Sequence, residues 1–155
     1  MENEIYISKA LKSDVPEIVR LFADDILGSK REEFSEDIAS SYYDAFAKIN
    51  ADNNQMLVVA KLDGKIIGTL QISFIYNLSF KGAMRALVEG VHVDKDLRSR
   101  GIGKYIMEWA IAEATKKGCR FVQLTSNKMR KDAHRFYESL GFTPSHEGFK
   151  LDLNS

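Results

Sequence analysis

The sequence at residues 91–104, VHVDKDLRSRGIGK, runs from an apolar strand pattern through a charged turn into two closely spaced glycines and a long amphipathic segment. The first turn of a helix has N–H groups without partners and a partial positive charge, which together suit a phosphate oxygen. Glycines at 101 and 103 lack the Cβ atoms that would keep a diphosphate away from the backbone. Positive side chains flank these glycines at Arg98, Arg100 and Lys104. The stretch therefore predicts a phosphate-binding turn between a strand and a helix.

Two common phosphate-binding motifs do not match this stretch. A P-loop requires Gly-x-x-x-x-Gly-Lys followed by Ser or Thr, but residue 105 is Tyr and no glycine lies five positions before Gly103. A dinucleotide-binding fingerprint requires a third glycine at residue 106, which is Ile. The predicted phosphate turn therefore belongs to neither of these two motifs.

The rest of the chain alternates between strand and helix patterns, with no internal repeat and no linker-like stretch. Strand patterns cover Ile5–Lys9, Met56–Ala60, Lys65–Tyr76, Leu87–Val93 and Phe121–Leu124, and a last strand or hairpin is predicted over Phe142–Leu153. Helix patterns run from a Ser13 cap to Gly28, from a Ser35 cap through Ile49, from Gly101 to Lys117 and from Lys131 to Leu140. An Asp63-Gly64 turn joins two of the strands as a hairpin. The order predicts a mixed α/β fold, of α+β character, with helices on both faces of a central sheet.

The composition is that of an ordinary globular protein. Its 155 residues suit a single domain spanning 1–155, and 45% hydrophobic residues are too many for a disordered chain. No apolar run approaches the ~20 residues of a membrane-spanning helix, and the acidic start, MENE, does not resemble a secretory signal. The single cysteine, Cys119, excludes a disulfide within the chain and any multi-cysteine metal site. We therefore expect a cytoplasmic protein without a membrane partner.

The net charge of zero hides an uneven distribution along the chain. Residues 1–50 contain six Lys and Arg against eleven Asp and Glu, whereas residues 81–135 contain thirteen against six. A basic second half suits a polyanion and an acidic first half suits a cation, although clustering on solvated faces gives the same pattern. Nucleic acid is not the expected polyanion, because a basic stripe with interleaved aromatic residues is missing and the pI is about 6.8. A phosphorylated small molecule fits the charge pattern better.

The complete pattern resembles a known family. Arg98-x-x-Gly101-x-Gly103 is similar to the acetyl-CoA pyrophosphate motif of the GNAT (Gcn5-related N-acetyltransferase) superfamily, and Val88–Val93 is similar to the strand before that motif. Asn127 and Ala133–Phe142 resemble the last helix of the family and the exit from it. The C-terminal third is further similar to aminoalkylphosphonate N-acetyltransferases, on the residues Arg130–Tyr137, Ser145, His146 and Phe149.

The resemblance implies a GNAT fold and direct transfer of an acetyl group from acetyl-CoA to the primary amine of a small molecule. In the family pattern the backbone of Val91 and Val93 holds the pantetheine arm, and an N–H near Val91 or His92 polarises the thioester carbonyl. Acetyl-CoA is the implied cosubstrate, and the residues implied to bind it are Val91, His92, Val93, Arg98, Ser99, Arg100, Gly101, Ile102, Gly103, Lys104, Asn127 and Arg130.

Two side chains are the candidate catalytic groups. Glu89 is a carboxylate in an apolar strand, where an unpaired buried charge is costly, so it is either solvated at the end of the sheet or functional. As a functional group it is a base acting through water, with a pKa that partial burial would raise, or else a paired or ammonium-binding group. The resemblance implies that Tyr137 is the general acid for the CoA sulfur, whereas a bare Phe-Tyr pair belongs to a core. In an ideal strand His92 faces away from Glu89 and is expected to pack or to be exposed. Gly90 either forms a bulge that opens a slot in the sheet or merely weakens the strand.

Two other functions stay open on the sequence alone. A peptide or protein N-acetyltransferase would also suit the acidic helices predicted over 14–49. A non-catalytic acyl-CoA sensor would need the cofactor residues alone, and the presence of Glu89 and Tyr137 favours the enzyme over the sensor. The predicted free C-terminal strand is compatible with a homodimer. Neither nucleic acid nor a membrane is an expected partner.

Overall fold

The computed structural model describes residues 4–24, 28, 32 and 37–154. The chain divides into two compact units, Met1–Gln123 and Leu124–Ser155. The first unit contains a five-stranded sheet, and the second contains one helix among its described residues. The single domain spanning 1–155 stays a prediction. In the part of the chain that the structure describes, no helix has the length and apolar character needed to cross a membrane.

The sheet of the first unit has the strand order β1-β2-β3-β4-β5. Its strands are β1 (Tyr6–Lys9), β2 (Gln55–Leu62), β3 (Lys65–Ile75), β4 (Arg85–Val93) and β5 (Phe121–Gln123). Strands β1 to β4 are antiparallel neighbours, and β5 runs parallel to β4. A parallel neighbour needs a crossover connection, which the helix between β4 and β5 supplies. The predicted mixed sheet is therefore confirmed.

Strand β2 lies inside this sheet, between β1 and its hairpin partner β3. Val58, Val59 and Ala60 follow one another and are at most 1% exposed, as expected for a strand that is covered on both faces. The predicted Asp63-Gly64 turn joins β2 to β3. The hairpin that the apolar run and the turn residues predict is therefore confirmed.

Helices cover both faces of the sheet. Those of the first unit are α1 (Val15–Ala23), α2 (Ser40–Ala51) and α4 (Ile102–Lys117), and a single turn labelled α3 (Ser79–Gly82) is not a regular helix, because Phe80 and Lys81 have left-handed φ values of +51° and +60°. On one face, Ile18 of α1 and Val59 of β2 belong to the same buried cluster. On the other face, a Cβ on Gly68 would lie 2.5 Å from Cδ1 of Ile106 in α4 and 3.8 Å from the Cβ of Ala60. Because Val59 and Ala60 are consecutive strand residues, α1 and α4 lie on opposite faces, as predicted.

The start of α1 differs from the prediction. A short 3-10 turn, Lys12–Asp14, precedes the helix, and Asp14 rather than Ser13 is the N-cap residue of α1, without a side-chain hydrogen bond to the helix. Its Oδ2 accepts a hydrogen bond from the N–H of Leu11 at 2.8 Å, and its Oδ1 lies 3.3 Å from Nζ of Lys61. A carboxylate gains more than a hydroxyl here because it accepts the N–H bond of Leu11 and also pairs with the charge of Lys61.

The other predicted helix limits also need correction. Helix α1 ends at Ala23, well before the predicted stop at Gly28. Helix α2 begins at Ser40, and the predicted cap at Ser35 lies outside the described residues.

The prediction of a last strand or hairpin over Phe142–Leu153 is wrong. In the second unit, helix α5 (Lys131–Ser139) is followed by chain without strand or helix as far as residue 154. Phe149, Leu151 and Leu153 alternate as in a strand, but they are 94%, 83% and 87% exposed. An alternating pattern forms a strand only where a neighbouring strand and an apolar surface receive it.

Candidate active site

Strand β4 contains a bulge at Gly90. Glu89 is opposite Gln71 of β3 and His92 is opposite Thr69, so two residues of β4 lie opposite Leu70. Gly90 has a φ of +61°, a left-handed conformation that a glycine adopts without steric cost. The bulge that the sequence left open is therefore present, and it lies at the centre of the stretch implied to bind the pantetheine arm.

The outer edge of β4 has no described partner strand beyond Leu87. Strand β5 pairs only with Arg85, Ala86 and Leu87, whereas β4 continues to Val93. No described strand pairs with this edge of residues 88–93. Backbone N–H and C=O groups at such an edge are a template for an extended ligand. The arrangement thus fits an arm that lies along Val91 and Val93 like an added strand.

The bulge also changes which side chains share a face of β4. Gln71 and Thr69 are two residues apart in β3 and point to the same side of the sheet. Their partners Glu89 and His92 therefore lie on one face, and the prediction that His92 faces away from Glu89 is wrong. The prediction assumed an unbroken alternation, and the extra residue at Gly90 shifts that alternation by one.

Glu89 and His92 differ in their surroundings although they share a face. Glu89 is exposed, which agrees with the solvated alternative left open by the sequence and not with partial burial. The ring of His92 is partly buried, and its centroid lies 4.9 Å from that of Phe22 in α1. This contact agrees with the packing role expected for His92, whereas the role of Glu89 stays a prediction.

The turn between β4 and α4 has the predicted course. Asp94 caps the 3-10 turn Lys95–Leu97, since its Oδ1 accepts a hydrogen bond from the N–H of Asp96 at 3.0 Å. Ser99 and Gly101 then adopt left-handed conformations, with φ of +66° and +80°. The turn is mostly exposed, and its basic residues Arg98 and Arg100 are accessible to an anion.

The first turn of α4 presents unused backbone donors. No side chain caps this end of the helix, and the first helical hydrogen bond joins the N–H of Tyr105 to the carbonyl of Gly101 at 3.0 Å. The N–H groups of Ile102, Gly103 and Lys104 have no partner within the helix. Together with the partial positive charge of a helix start, they form a surface that suits diphosphate oxygens.

Asn127 and Arg130 belong to the second unit and lie in the turn before α5. Oδ1 of Asn127 accepts a hydrogen bond from the N–H of Met129, and its carbonyl accepts one from the N–H of Arg130, both at 2.9 Å. Nε2 of His134 lies 2.9 Å from the same carbonyl, which fixes Nε2 as a donor. Asn127 therefore shapes the start of α5, a role that the sequence analysis missed although an Asn before a helix signals it.

Tyr137 lies on α5 among other aromatic rings. Its ring centroid is 5.2 Å from that of Phe136 and 6.0 Å from that of Phe142. Burial raises the pKa of the Tyr137 phenol above its ordinary value of 10.0, and the positive charge of Arg130 opposes this shift in part. The phenol is thus protonated at neutral pH, as a general acid must be.

The chain is similar to several known proteins. The model of the acetyltransferase (GNAT) family matches residues 23–142. The chain is 30% identical to the aminoalkylphosphonate N-acetyltransferase of Salmonella typhimurium (strain LT2) over 113 residues, which are 73% of each protein. Its sequence is 42% identical to that of a transcriptional regulator from Bacillus halodurans C-125. The crystal structure of that protein matches the fold with a TM-score of 0.95, over 97% of this chain and 100% of that one. A "predicted acetyltransferase with acetyl-CoA" from Clostridium acetobutylicum shares the fold, at 20% identity and a TM-score of 0.74 over 97% of each chain.

The family match includes the whole of the candidate site. The bulge in β4, the basic turn, α4 and α5 all lie inside the matched residues, and so does every candidate residue from Glu89 to Tyr137. The Salmonella relative independently reaches the same family over more than two thirds of both proteins. The chain therefore belongs to the GNAT acetyltransferase family and is an N-acetyltransferase.

Proposed function

We propose that the protein transfers an acetyl group from acetyl-CoA directly to the primary amine of a small molecule. The observation that carries this proposal is the turn between β4 and α4, where basic side chains surround an uncapped helix start. That combination binds a diphosphate in the proposal, through the N–H groups of Ile102, Gly103 and Lys104 and the charges of Arg98 and Arg100. The left-handed Ser99 and Gly101 give the turn its course.

The edge of β4 that has no described partner strand supports the second part of the proposal, the binding of the pantetheine arm. The backbone of Val91 and Val93 would hold the pantetheine arm, and an N–H near Val91 or His92 would polarise the thioester carbonyl. A backbone N–H aimed at that oxygen stabilises the negative charge that develops when the amine attacks. The bulge at Gly90 supports this role because it interrupts the regular ladder at this point.

Protons must leave the acceptor nitrogen and reach the CoA sulfur during the reaction. The amine that attacks the carbonyl carbon is neutral, so an acceptor that arrives as an ammonium first loses one proton, and the nitrogen of the tetrahedral adduct then loses another as the amide forms. We assign the removal of these protons to Glu89, acting through water. The C–S bond then breaks, and the CoA thiolate takes a proton that we assign to Tyr137. Glu89 is exposed and Tyr137 is protonated at neutral pH, so each has the access or the protonation state that its role requires. Asn127 and Arg130 are proposed as further contacts of acetyl-CoA.

The acceptor is proposed from the curated relative. The Salmonella protein is named for aminoalkylphosphonates, so this class of amine is the first that we expect to be acetylated. The acidic residues of the first third of the chain would suit a cationic acceptor instead, such as a polyamine or a basic peptide. A cytoplasmic location and a homodimer stay predictions from the sequence.

A panel assay tests this proposal. CoA release from acetyl-CoA is followed with aminoalkylphosphonates, simple amines, polyamines, amino sugars and peptides, and mass spectrometry checks each product for one added acetyl group. We expect turnover with a small-molecule class well above the rate of hydrolysis without acceptor. Turnover with peptides alone would replace the small-molecule proposal with a peptide N-acetyltransferase.

A second candidate is a regulatory role of the acyl-CoA-bound protein, in addition to acetyl transfer. It is favoured by the description of the similar Bacillus halodurans structure as a transcriptional regulator. Acetyl-CoA binding measured by calorimetry, with only slow turnover of every acceptor in the panel, would support the regulatory role.

A further inference from the structure

Asp94 is the single buried residue of the turn that follows β4. Residues 95–101 are exposed or partly exposed, whereas Asp94 is 4% exposed. A turn that carries the diphosphate-binding groups is thus attached to the core of the first unit through a carboxylate. Burying a carboxylate costs free energy unless it is paired and hydrogen-bonded, so its contacts determine what it does.

Two hydrogen bonds join Asp94 to the 3-10 turn Lys95–Leu97, and a third joins it to β3. Its Oδ1 accepts from the N–H of Asp96 at 3.0 Å, and its carbonyl accepts from the N–H of Leu97 at 2.9 Å. Its own N–H donates to the carbonyl of Ile67 in β3 at 2.8 Å. The bond from Asp96 lowers the pKa of Asp94 below its ordinary 3.8 against partial desolvation, and the charges of Arg20 and Lys65 lower it further. The carboxylate is therefore ionised at neutral pH.

Arg20 of α1 is the cation that faces Asp94. Its Nη2 lies 3.5 Å from Oδ2 of Asp94, while its Nε and Nη1 donate to Glu17 at 3.0 Å and to Asp24 at 2.9 Å. Desolvation alone would lower the pKa of Arg20, but the three carboxylates outweigh it and raise the pKa. The guanidinium is held in place by its own helix, so it offers Asp94 a fixed partner.

Helix α1 also contacts the bulge of β4 at a second point. The ring of Phe22 lies against His92, and a Cβ on Gly90 would be 3.9 Å from Phe22. One helix therefore touches both the strand implied to bind the pantetheine arm and the start of the diphosphate turn. This gives α1 a means of fixing the turn relative to the strand.

We propose that Asp94, paired with Arg20, is a positioning residue that orders the diphosphate-binding turn before acetyl-CoA arrives. The inference rests on the proposed function, because it concerns the turn assigned there to the diphosphate. Without the cap and the ion pair, residues 95–101 sample other conformations, and binding must order them. The affinity for acetyl-CoA then falls, while the groups at the thioester and hence kcat at saturation are unchanged.

Three variants separate the two contacts of Asp94, and one variant is a matched control. Asp94→Asn keeps an oxygen for the N–H of Asp96 but loses the charge, Asp94→Ala loses both, and Arg20→Met removes the partner. Asp14→Asn is the control, because Asp14 is also buried, accepts a backbone N–H at 2.8 Å and pairs with Lys61 at 3.3 Å, at the other end of α1.

The measurements are the KM and kcat for acetyl-CoA, its calorimetric Kd, and amide hydrogen exchange of residues 95–101. We expect Asp94→Ala to raise KM and Kd by roughly tenfold, the value of a lost cap and a lost ion pair together, with kcat within about twofold of the parent. Asp94→Asn and Arg20→Met should each have a smaller effect on KM, and all three should exchange the turn amides faster. Asp14→Asn should lower stability and leave KM unchanged.

Two outcomes would overturn the inference alone. One is an Asp94→Ala protein that binds acetyl-CoA as the parent does, and the other is an Asp14→Asn protein whose KM rises as much as that of Asp94→Ala. A parent protein that does not bind acetyl-CoA would instead overturn the proposed function, and this inference with it.

Discussion

The phenol of Tyr137 is protonated at pH 7, since even its ordinary pKa is 10.0, and burial raises that pKa further. Tyr137→Phe removes the hydroxyl and keeps the ring against Phe136 and Phe142. We therefore expect kcat to fall by ~10²-fold, the usual contribution of a general acid. The Kd for acetyl-CoA and the Tm should stay close to the parent's. Steady-state kinetics at saturating acetyl-CoA, calorimetry and thermal unfolding check these three expectations.

Tyr137→Ala is the comparison for this substitution. It should lower kcat and also lower Tm, because it removes the ring from its aromatic neighbours. A Tyr137→Phe protein with the parent's kcat would show that the ring serves packing alone.

The raised pKa of Tyr137 also has a consequence for stability at high pH. The folded state favours the neutral phenol, so its contribution to the free energy of unfolding is complete below the ordinary pKa of 10.0 and is lost as pH rises through the higher folded pKa. We expect the stability difference between the parent and Tyr137→Phe to change only above about pH 10, and in the direction that disfavours the parent. Denaturant unfolding of both proteins at several pH values measures it, and a difference that is constant up to pH ~11 would contradict the prediction.

Glu89 is assigned to the removal of a proton from the acceptor amine. Glu89→Gln should lower kcat by about 10- to 100-fold, and most strongly at low pH, where the amine is most heavily protonated. Glu113→Gln is the control, because it makes the same chemical change at a carboxylate of α4 that has no proposed role in the reaction. The pH profile of kcat, measured for both variants, tests whether Glu89 removes this proton. A Glu89→Gln protein with the parent's rate and profile would remove Glu89 from the mechanism.

At the scale of single elements, the turn and helix start at 94–104 could be predicted because their signals are local. Strand β4 ends at Val93 and α4 begins at Ile102, as the charged turn and the two glycines indicate. The relation of Glu89 to His92 could not be predicted, because it depends on the register between β3 and β4 and not on the sequence of β4 alone.

The contact between Asp94 and Arg20 was likewise beyond the sequence pattern. An Asp before a short turn signals a cap, and this part of its role could be predicted. Its ion pair joins β4 to α1, which are distant in the chain, so only the packing of α1 on the sheet brings the two charges together. Local patterns therefore predicted which residues form the turn, while tertiary contacts decide how it is held.

Gly101 provides an element-scale test of the diphosphate assignment. Its φ is +80° and a Cβ would meet nothing within 4 Å, so a substitution acts through the backbone and not through a clash. Gly101→Val should lower the free energy of unfolding by about 1–2 kcal/mol, because valine is strained in that conformation. It should also shift the turn and so weaken acetyl-CoA binding by tenfold or more. Gly118→Val is the matched control, since Gly118 ends the same helix with a φ of +86° and equally open surroundings.

The two glycine variants are compared by calorimetry and thermal unfolding. Both should lose similar stability, and Gly101→Val alone should lose acetyl-CoA affinity. Equal affinities for acetyl-CoA in the two folded variants would remove the diphosphate from the turn.

At the scale of the whole molecule, charge is distributed as the reaction requires. The basic stretch 81–135 contains the turn and α4, and the acidic stretch 1–50 contains α1. A site with fixed positive charge draws in an anionic cosubstrate and is weakened by salt. The net charge of zero conceals this division into an acidic and a basic stretch, which appears when the charges are counted segment by segment.

The last segment of the chain provides the whole-molecule prediction. Residues 148–154 form no strand or helix, and Phe149, Leu151 and Leu153 are almost fully exposed. Side chains that bury little apolar area contribute little to folding, so deletion of residues 148–155 should change the free energy of unfolding by less than about 0.5 kcal/mol. Urea unfolding compares the two chains, and light scattering after size exclusion compares their masses in solution. A loss above ~1 kcal/mol would contradict the prediction, and a loss of mass beyond that of the deleted residues would show that the segment joins two copies of the chain.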